Sequence, residues 1–309
     1  MKSIIERAYQ LINEPINPNL RTPVELIEAV NYEESNAGED LVYFKSPDTD
    51  RGLDGIYSAD ANGSITFHKI GLKSTTAISF SSVQTKLETV LLDELMASKD
   101  LSALASCKQN LILSLDNYET KLVCDVVLSV AGQEVTKASG EDILDVIIKM
   151  KQLISNYSND YVLLVAPDVM DEIETYDKAN VGNFNYKMSI FEELSKLGVK
   201  KIIKVLGVTK MDDVEAPILA NGKSILVGRN SKLLKQKPIS LCRRKFTKEI
   251  AEYSGAGEGA VRLINVVPTP YIVNADGKNT LGYGVFGYES LAVVLLNYRA
   301  VAWSGEILI

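Results

Sequence analysis

The stretch "NDYVLLVAPDVMDEI" at residues 159–173 runs from a polar lead-in through five apolar residues beginning at Val162 to Pro167 and a group of acids. A short apolar run bounded by turn residues reads as a strand. The proline that stops it carries the fixed φ of a first helical residue. Strand, proline and acidic helix start is also how many enzymes present carboxylates at a sheet edge, so Asp168, Asp171, Glu172 and Glu174 are the first candidates for acid–base chemistry. Only Asp168 with Glu172, or Asp171 with Glu174, share a helix face. No nucleophile, histidine or metal-ligand partner stands near them in sequence. A helix N-terminus favours negative side chains by about 0.3–1 kcal/mol each, and that accounts for the acids without catalysis.

Working outward, Ser139 and Asp142 read as a capping box opening the helix "ILDVIIKMKQLI" at 143–154. Before it, Leu104, Cys107, Leu111, Leu115, Leu122, Val123, Val126, Val127 and Val130 recur at steps of three and four, with Gly132 as C-cap. That predicts one helix over 103–131, roughly 40–45 Å long, well above the usual globular length. Downstream, "MSIFEELSKLG" (188–198) reads as a helix ended by Gly198 and "KKIIKVLGV" (200–208) as a strand. "APILANGKSILVG" (216–228) reads as a hairpin around Asn221-Gly222. Residues 140–228 therefore alternate as a compact α/β module. The remainder, with "PISLCRRKF" (238–246), a glycine-rich tip "SGAGEG" (254–259) and the runs "LINVV", "PYIV" and "LAVVLLNYRAVAW", reads as long antiparallel β-structure.

The other end of the chain is different in kind. Ile4, Ile5, Ala8, Leu11 and Ile12 make a short amphipathic helix stopped by Pro15. Residues 13–55 are too polar for a core and too long for an ordinary loop, which predicts an extended arm ordered by partners. Asn62-Gly63 lies between "GIYS" and "SITFHKI", a hairpin signal because both turn residues tolerate positive φ. Its flanks carry Arg51, Asp54, His68, Lys69 and Lys73. So polar a hairpin cannot bury itself and is expected to project onto a neighbour.

Composition bounds the function. The 309 residues are 46% hydrophobic and 24% charged, enough for about two domains. A net charge of -7 argues against a surface that grips phosphates. No run reaches the roughly 18–20 uncharged residues of a membrane helix, and Glu6 and Arg7 break any secretory signal. Cys107, Cys124 and Cys242 have no metal-ligand spacing and read as reduced structural thiols.

Three further motifs invite chemistry. Gly282, Gly284 and Gly287 match G-x-G-x-x-G, but a phosphate site needs a strand before the motif and a helix after it. Here a turn precedes it and β-branched residues follow, so glycine-rich turns and bends in a β-structure explain it better. His68 is the sole histidine and has no serine or cysteine companion, so an interface role fits it better than catalysis. Arg243 and Arg244 with Lys245 and Lys248 form a basic cluster, read as a solvated strand face or an intersubunit salt-bridge site. No catalytic residue, metal or cofactor is expected, and parts that one chain cannot cover imply copies of itself.

The order of parts resembles the major capsid protein of tailed bacteriophages, the Hong Kong 97-like fold. The resemblance is strongest in "EDILDVIIKMKQLISNYSNDYVLLVAPDVMDEIETYD" (141–177), similar to that family's axial-domain helix, strand, Ala-Pro turn and short helix. "ALASCKQNLILSLDNYETKLVCDVVLSVAG" resembles its spine helix. "SILVGRNSKLLK" and "NYRAVAWSGEIL" resemble its return strands. The resemblance implies an α+β chain with an N-terminal arm at 1–35, an extended loop at 36–75 and a peripheral domain with the spine helix at 76–135. An axial α/β domain at 136–229 and peripheral return strands at 230–309 complete it. The implied function is self-assembly into the icosahedral shell around a phage genome, in hexamers and pentamers. Arg51, Asp54, Asn62, Gly63, His68 and Lys69 would lie at an assembly interface.

The implied partners are copies of the chain, a separate scaffolding protein (Met1 opening almost at the arm favours this over a cleaved segment), a portal and enclosed double-stranded DNA. No membrane is involved, and assembly would take place in the host cytoplasm. Some members cross-link a lysine to an asparagine. Lys45, Lys69 and Lys73 fall in the loop, but no partners match and no cross-link is expected. An encapsulin-like compartment is the alternative in the same fold; a nucleotide-dependent enzyme around Gly282–Gly287 is the alternative of another class.

Overall fold

The computed structural model describes residues 26–36, 42–44, 75–77, 80–85, 88–91, 102–181, 190–211, 214–229, 237–253, 259–273 and 279–307. One turn of 3-10 helix at Leu26–Glu28 leads into β1 (Val30–Ser35), followed by β2 (Val42–Phe44), β3 (Thr75–Ala77), β4 (Ser81–Gln84) and β5 (Glu88–Leu91). Then come α1 (Ser102–Leu128), α2 (Ile143–Ile154), β6 (Tyr161–Val165), α3 (Pro167–Val181), α4 (Ile190–Lys196) and β7 (Val199–Lys204). The chain continues with β8 (Val208–Met211), β9 (Val214–Pro217), β10 (Ser224–Gly228), β11 (Ile239–Arg244) and α5 (Lys248–Tyr253). It finishes with β12 (Arg262–Val273), β13 (Asn279–Leu295) and β14 (Val301–Ser304). The protein is thus α+β, and the described residues form two principal sheets and two small two-stranded ones.

The four-stranded sheet, in the order β14-β10-β6-β7, is the centre of the α/β module. β6 and β10 are buried along their whole length, as the uninterrupted apolar runs require. α2 buries Ile143, Val146, Ile147, Met150 and Ile154, one stripe at helical spacing, in the same core. Its cap differs from expectation. Asp142, not Ser139, is the N-cap; its carboxylate accepts from Asp145 N at 3.0 Å while the Asp145 carboxylate accepts from Asp142 N at 3.1 Å. Gly140, at φ +87, holds the chain left-handed between Ser139 and Asp142, which displaces the box by one turn. Gly198 does end α4 as expected, at φ +94.

The Asn221-Gly222 turn forms, with Lys223 N donating to Ala220 O, yet its flanking strands do not pair. β9 pairs with β8, while β10 is taken by β6 and β14. A neighbour that brings an apolar face to β10 outcompetes local pairing with the polar β9. β14, from the far end of the chain, lies antiparallel to β10, so the C-terminal residues return to this sheet.

The six-stranded sheet is organised by β13, which at 17 residues spans about 55 Å. Along one edge it pairs with β12 and then, from Leu291, with β11; along the other it pairs with β5 and then β4. β11 and β12 therefore meet end to end on the same edge. Pro268 and Pro270 are tolerated in β12 because, among the described residues, its other edge has no partner. β1 pairs in parallel with β11. Leu26, Ala29 and Val30 are buried in the main core, so residues 26–36 are integral to the fold and not an arm waiting for partners. Three apolar side chains and a ladder of backbone bonds suffice to seat an otherwise polar segment.

α1 lies across this sheet. Its 27 residues span about 40 Å, and it ends at Leu128, three residues before the expected Ala131. The Val130 carbonyl is taken by the Trp303 indole at 3.2 Å. Gly287 lies close beneath the helix, since a Cβ there would stand 3.2 Å from Leu115 Cδ1 and 3.3 Å from Thr85 Cγ2. Among the described residues no helix is long and apolar enough to cross a membrane.

Candidate functional site

The loop residues Arg51, Asp54, Asn62, Gly63, His68 and Lys69 lie outside the described residues, as do Lys45 and Lys73. The acids of the opening stretch are placed, and their roles are structural. Asp168 accepts from Gly222 N at 2.8 Å, and Ala166 N donates to Lys223 O at 3.0 Å, so the helix start clasps the 220–223 turn. Asp171 pairs with Lys204 at 2.7 Å on the surface, and Glu172 and Glu174 face solvent. The G-x-G-x-x-G motif lies inside β13: Gly282, Gly284 and Gly287 are in register with Thr269, Val267 and Ile264 of β12. It is continuous strand, neither the expected turn nor a phosphate loop. Cys124 and Cys242 are buried thiols; burial pushes Cys124 up to about 12, which leaves it unreactive.

The basic cluster is the main correction. Arg243 is buried and bonded within its own chain, on neither a solvated face nor an intersubunit surface. The reason is the strand's period of two. Ile239, Leu241 and Arg243 share one face of β11, which α1 covers. Arg244, on the other face, stacks its guanidinium 4.2 Å from the Phe80 ring centre, and Lys245 reaches Glu34 at 3.2 Å.

Arg243 belongs to a cluster that the sequence patterns did not assemble. Arg243 Nε donates to Glu119 Oε1 at 2.6 Å and Nη2 to Glu119 Oε2 at 2.5 Å, a bidentate fork. Arg262, the first residue of β12, donates from Nη1 to Asp116 at 2.6 Å and from Nε to Glu289 Oε2 at 2.7 Å. Its Nη2 approaches Glu119 Oε1 to 3.1 Å, at an angle that does not make a hydrogen bond. Glu119 and Glu289 are fully buried, Arg243 and Arg262 almost so. The cluster sits where β11 ends and β12 begins on the edge of β13, and α1 closes it from above. Tyr32 of β1 adds its ring 5.6 Å from the Arg243 guanidinium.

The electrostatics follow from burial and from an odd number of charges. Burial, reinforced by the Glu119 carboxylate, pushes the Glu289 acid up to about 8 in spite of Arg262. Burial also raises Asp116, against the pull of Arg262. It would lower the Arg262 guanidinium, but Glu119, Glu289 and Asp116 outweigh that and keep it charged. Burial first, and Glu119 second, raise the Tyr32 phenol, so it stays neutral. The arrangement fixes α1 to three strands by directional, charge-assisted bonds.

A sequence signal for it exists. Residues 111, 115, 119, 123 and 127 are one unbroken i, i+4 stripe, with Leu, Leu, Glu, Val and Val. A glutamate in the middle of an apolar stripe announces a buried partner of opposite charge.

No protein-family model matches the sequence, and no curated protein does. Solved structures similar to the chain include phage and prophage proteins, among them a putative prophage capsid protein and a cyanophage capsid. The satellite phage P4 procapsid, solved with its size determination protein, aligns over 99% of this chain and 93% of its own at 9% identity and TM-score 0.49. A phage-related protein of Bordetella bronchiseptica aligns over 98% of this chain and 97% of its own, at 12% identity and TM-score 0.48. The holo encapsulin complex of Synechococcus elongatus aligns over 98% of this chain and 95% of its own, at 14% identity and TM-score 0.47.

Proposed function

We propose that the chain is the building block of a protein shell, the major capsid protein of a tailed phage with the Hong Kong 97-like architecture. The observation that carries this is the order and joining of the chain's own parts. A 27-residue helix lies on a sheet built around a 17-residue strand, and both connect to a compact α/β sheet that the C-terminal strand re-enters. That order supports the reading of the described parts as spine helix, axial module and return strands of a rigid tile. In this reading residues 1–25 and 36–75 reach neighbouring copies, with Arg51, Asp54, His68 and Lys69 at the contact and Asn62-Gly63 near the loop tip. Residues 76–135 and 230–297 form the peripheral domain, and 136–229 with 301–304 form the axial domain that closes around five-fold and six-fold axes. A net charge of -7 suits a shell that encloses DNA without adhering to it. A separate scaffolding protein and a portal complete the assembly, which takes place in the host cytoplasm.

The test is negative-stain microscopy of the purified full chain, alone and with its scaffolding protein. Hexamers, pentamers or closed shells are expected; a stable monomer that binds a nucleotide would sink the proposal. Nucleic acid inside shells recovered from infected cells supports the virion, whereas enclosed enzymes would indicate an encapsulin. Deleting residues 50–72 is expected to leave a folded chain that no longer forms stable shells.

A further inference from the structure

The cluster beneath α1 holds three carboxylates, Asp116, Glu119 and Glu289, against two guanidinium groups, Arg243 and Arg262. One negative charge is left over in a cluster whose members, Asp116 apart, are buried. The hydrogen bonds indicate where the imbalance falls. Both oxygens of Glu119 accept from Arg243. Asp116 accepts from Arg262 and its side chain is 20% exposed, so water can share its charge. Glu289 accepts from Arg262 at Oε2 only, and its Oε1 is buried without a hydrogen-bond partner among the described residues. An ionised oxygen left alone in a low-dielectric interior is the costliest member of such a set.

We propose that this cluster is a proton-dependent clamp: the folded chain carries Glu289 as the neutral acid, and loss of that proton loosens the seat of α1 on the six-stranded sheet. The charged groups that act on Glu289 are Glu119 from α1, Arg243 from β11 and Arg262 from β12, and Asp116 and Tyr32 join the same cluster through Arg262 and Arg243. On the other edge of β13 the uncharged residues Val83 and Ser82 stand in register with Glu289 and Ser290, and the Thr85 hydroxyl accepts from Gly287 N at 2.7 Å. With Glu289 neutral, the charges balance two against two. With it ionised, a net negative charge is buried between helix and sheet. The upward push that burial and the Glu119 carboxylate exert on the Glu289 acid agrees with this count.

The sign follows from proton linkage. Glu289 binds its proton more tightly folded than unfolded, so its contribution to stability is complete below about 4.5 and is lost as pH rises through about 8. Within that window each pH unit costs up to about tenfold in the folding equilibrium constant. The experiment is urea unfolding of the full chain from pH 5 to 9, for the parent and for Glu289→Gln, which imitates the neutral acid. The parent is expected to lose stability steadily to about pH 8, and the variant to show a shallower slope and to overtake it at pH 9. Infrared spectroscopy of the parent in D2O provides a readout that needs no variant: a protonated-carboxyl band present near neutrality and gone by alkaline pH. Equal slopes for parent and variant, a variant that fails to fold at pH 6, or absence of that band near neutrality would each overturn the proposal.

Discussion

Replacing Glu119 by leucine sets two simple views of the long helix against each other. On hydrophobic pattern alone, a leucine at this position completes the stripe of Leu111, Leu115, Val123 and Val127, and burying it would add about 1.5–3 kcal/mol. On the cluster geometry, the same change removes both acceptors of Arg243, whose side chain is 4% exposed. Breaking one side of a buried ion pair costs about 3–5 kcal/mol, because the stranded charge stays buried. Arg262 keeps Asp116 and Glu289, so only Arg243 is orphaned, with the Tyr32 ring as a weak substitute worth about 0.5–1 kcal/mol. The gain from the apolar side chain offsets part of the loss, which leaves a net destabilisation of about 1–3 kcal/mol.

The assay is urea unfolding of the full chain at pH 6, with Glu119→Ala and the double variant Glu119→Leu, Arg243→Met beside it. Alanine gains nothing from burial and is expected to be the least stable. The double variant strands no charge at position 243 and is expected to recover most of the loss. A Glu119→Leu protein as stable as the parent, or more so, would refute the reasoning, because the buried fork would then contribute nothing that a methyl group does not.

Two smaller changes probe the α/β module. Gly198→Ala forces an L-residue into φ +94 and drives its Cβ into the backbone carbonyl of Asn159, which cannot swing aside; a loss of about 1–3 kcal/mol is expected from thermal melting. Asp168→Ala removes the carboxylate that accepts from Gly222 N. A loss of about 1–2 kcal/mol is expected in urea unfolding, and amide exchange at Gly222 should rise above that of the neighbouring turn.

What could be read from the sequence was whatever has a short period. The buried strand at 161–165, Pro167 at the start of α3, the left-handed Gly198 and the long helix all follow from patterns of two to four residues, and the structure contains each of them. The failures share another cause. Asn221-Gly222 forms its turn, but which strand β10 joins is decided by β6 and β14, 59 or more residues away along the chain in register. Residues 26–36 look too polar to be core until β11 supplies a ladder for β1 more than 200 positions later. The basic run at 243–248 has no local mark that tells Arg243 from Arg244; the covering helix buries one and leaves the other half-buried against Phe80.

Why place charges where leucine and methionine would pack as well? α1 crosses a strand about 55 Å long, and an unbroken apolar stripe on such a surface can slip by one turn, about 5.4 Å, with little change in buried area. Apolar contacts are non-directional and tolerate that movement. A bidentate fork from Arg243 to Glu119, with Arg262 reaching Asp116 and Glu289, does not, since a one-turn slip breaks every one of those bonds at once. Both arginines sit at the abutment of β11 and β12, so the same bonds also fix those two strands to one another along β13. The double variant separates the two roles: apolar replacement can restore stability and still leave the helix free to slide, which would appear as faster amide exchange along α1 at unchanged unfolding free energy.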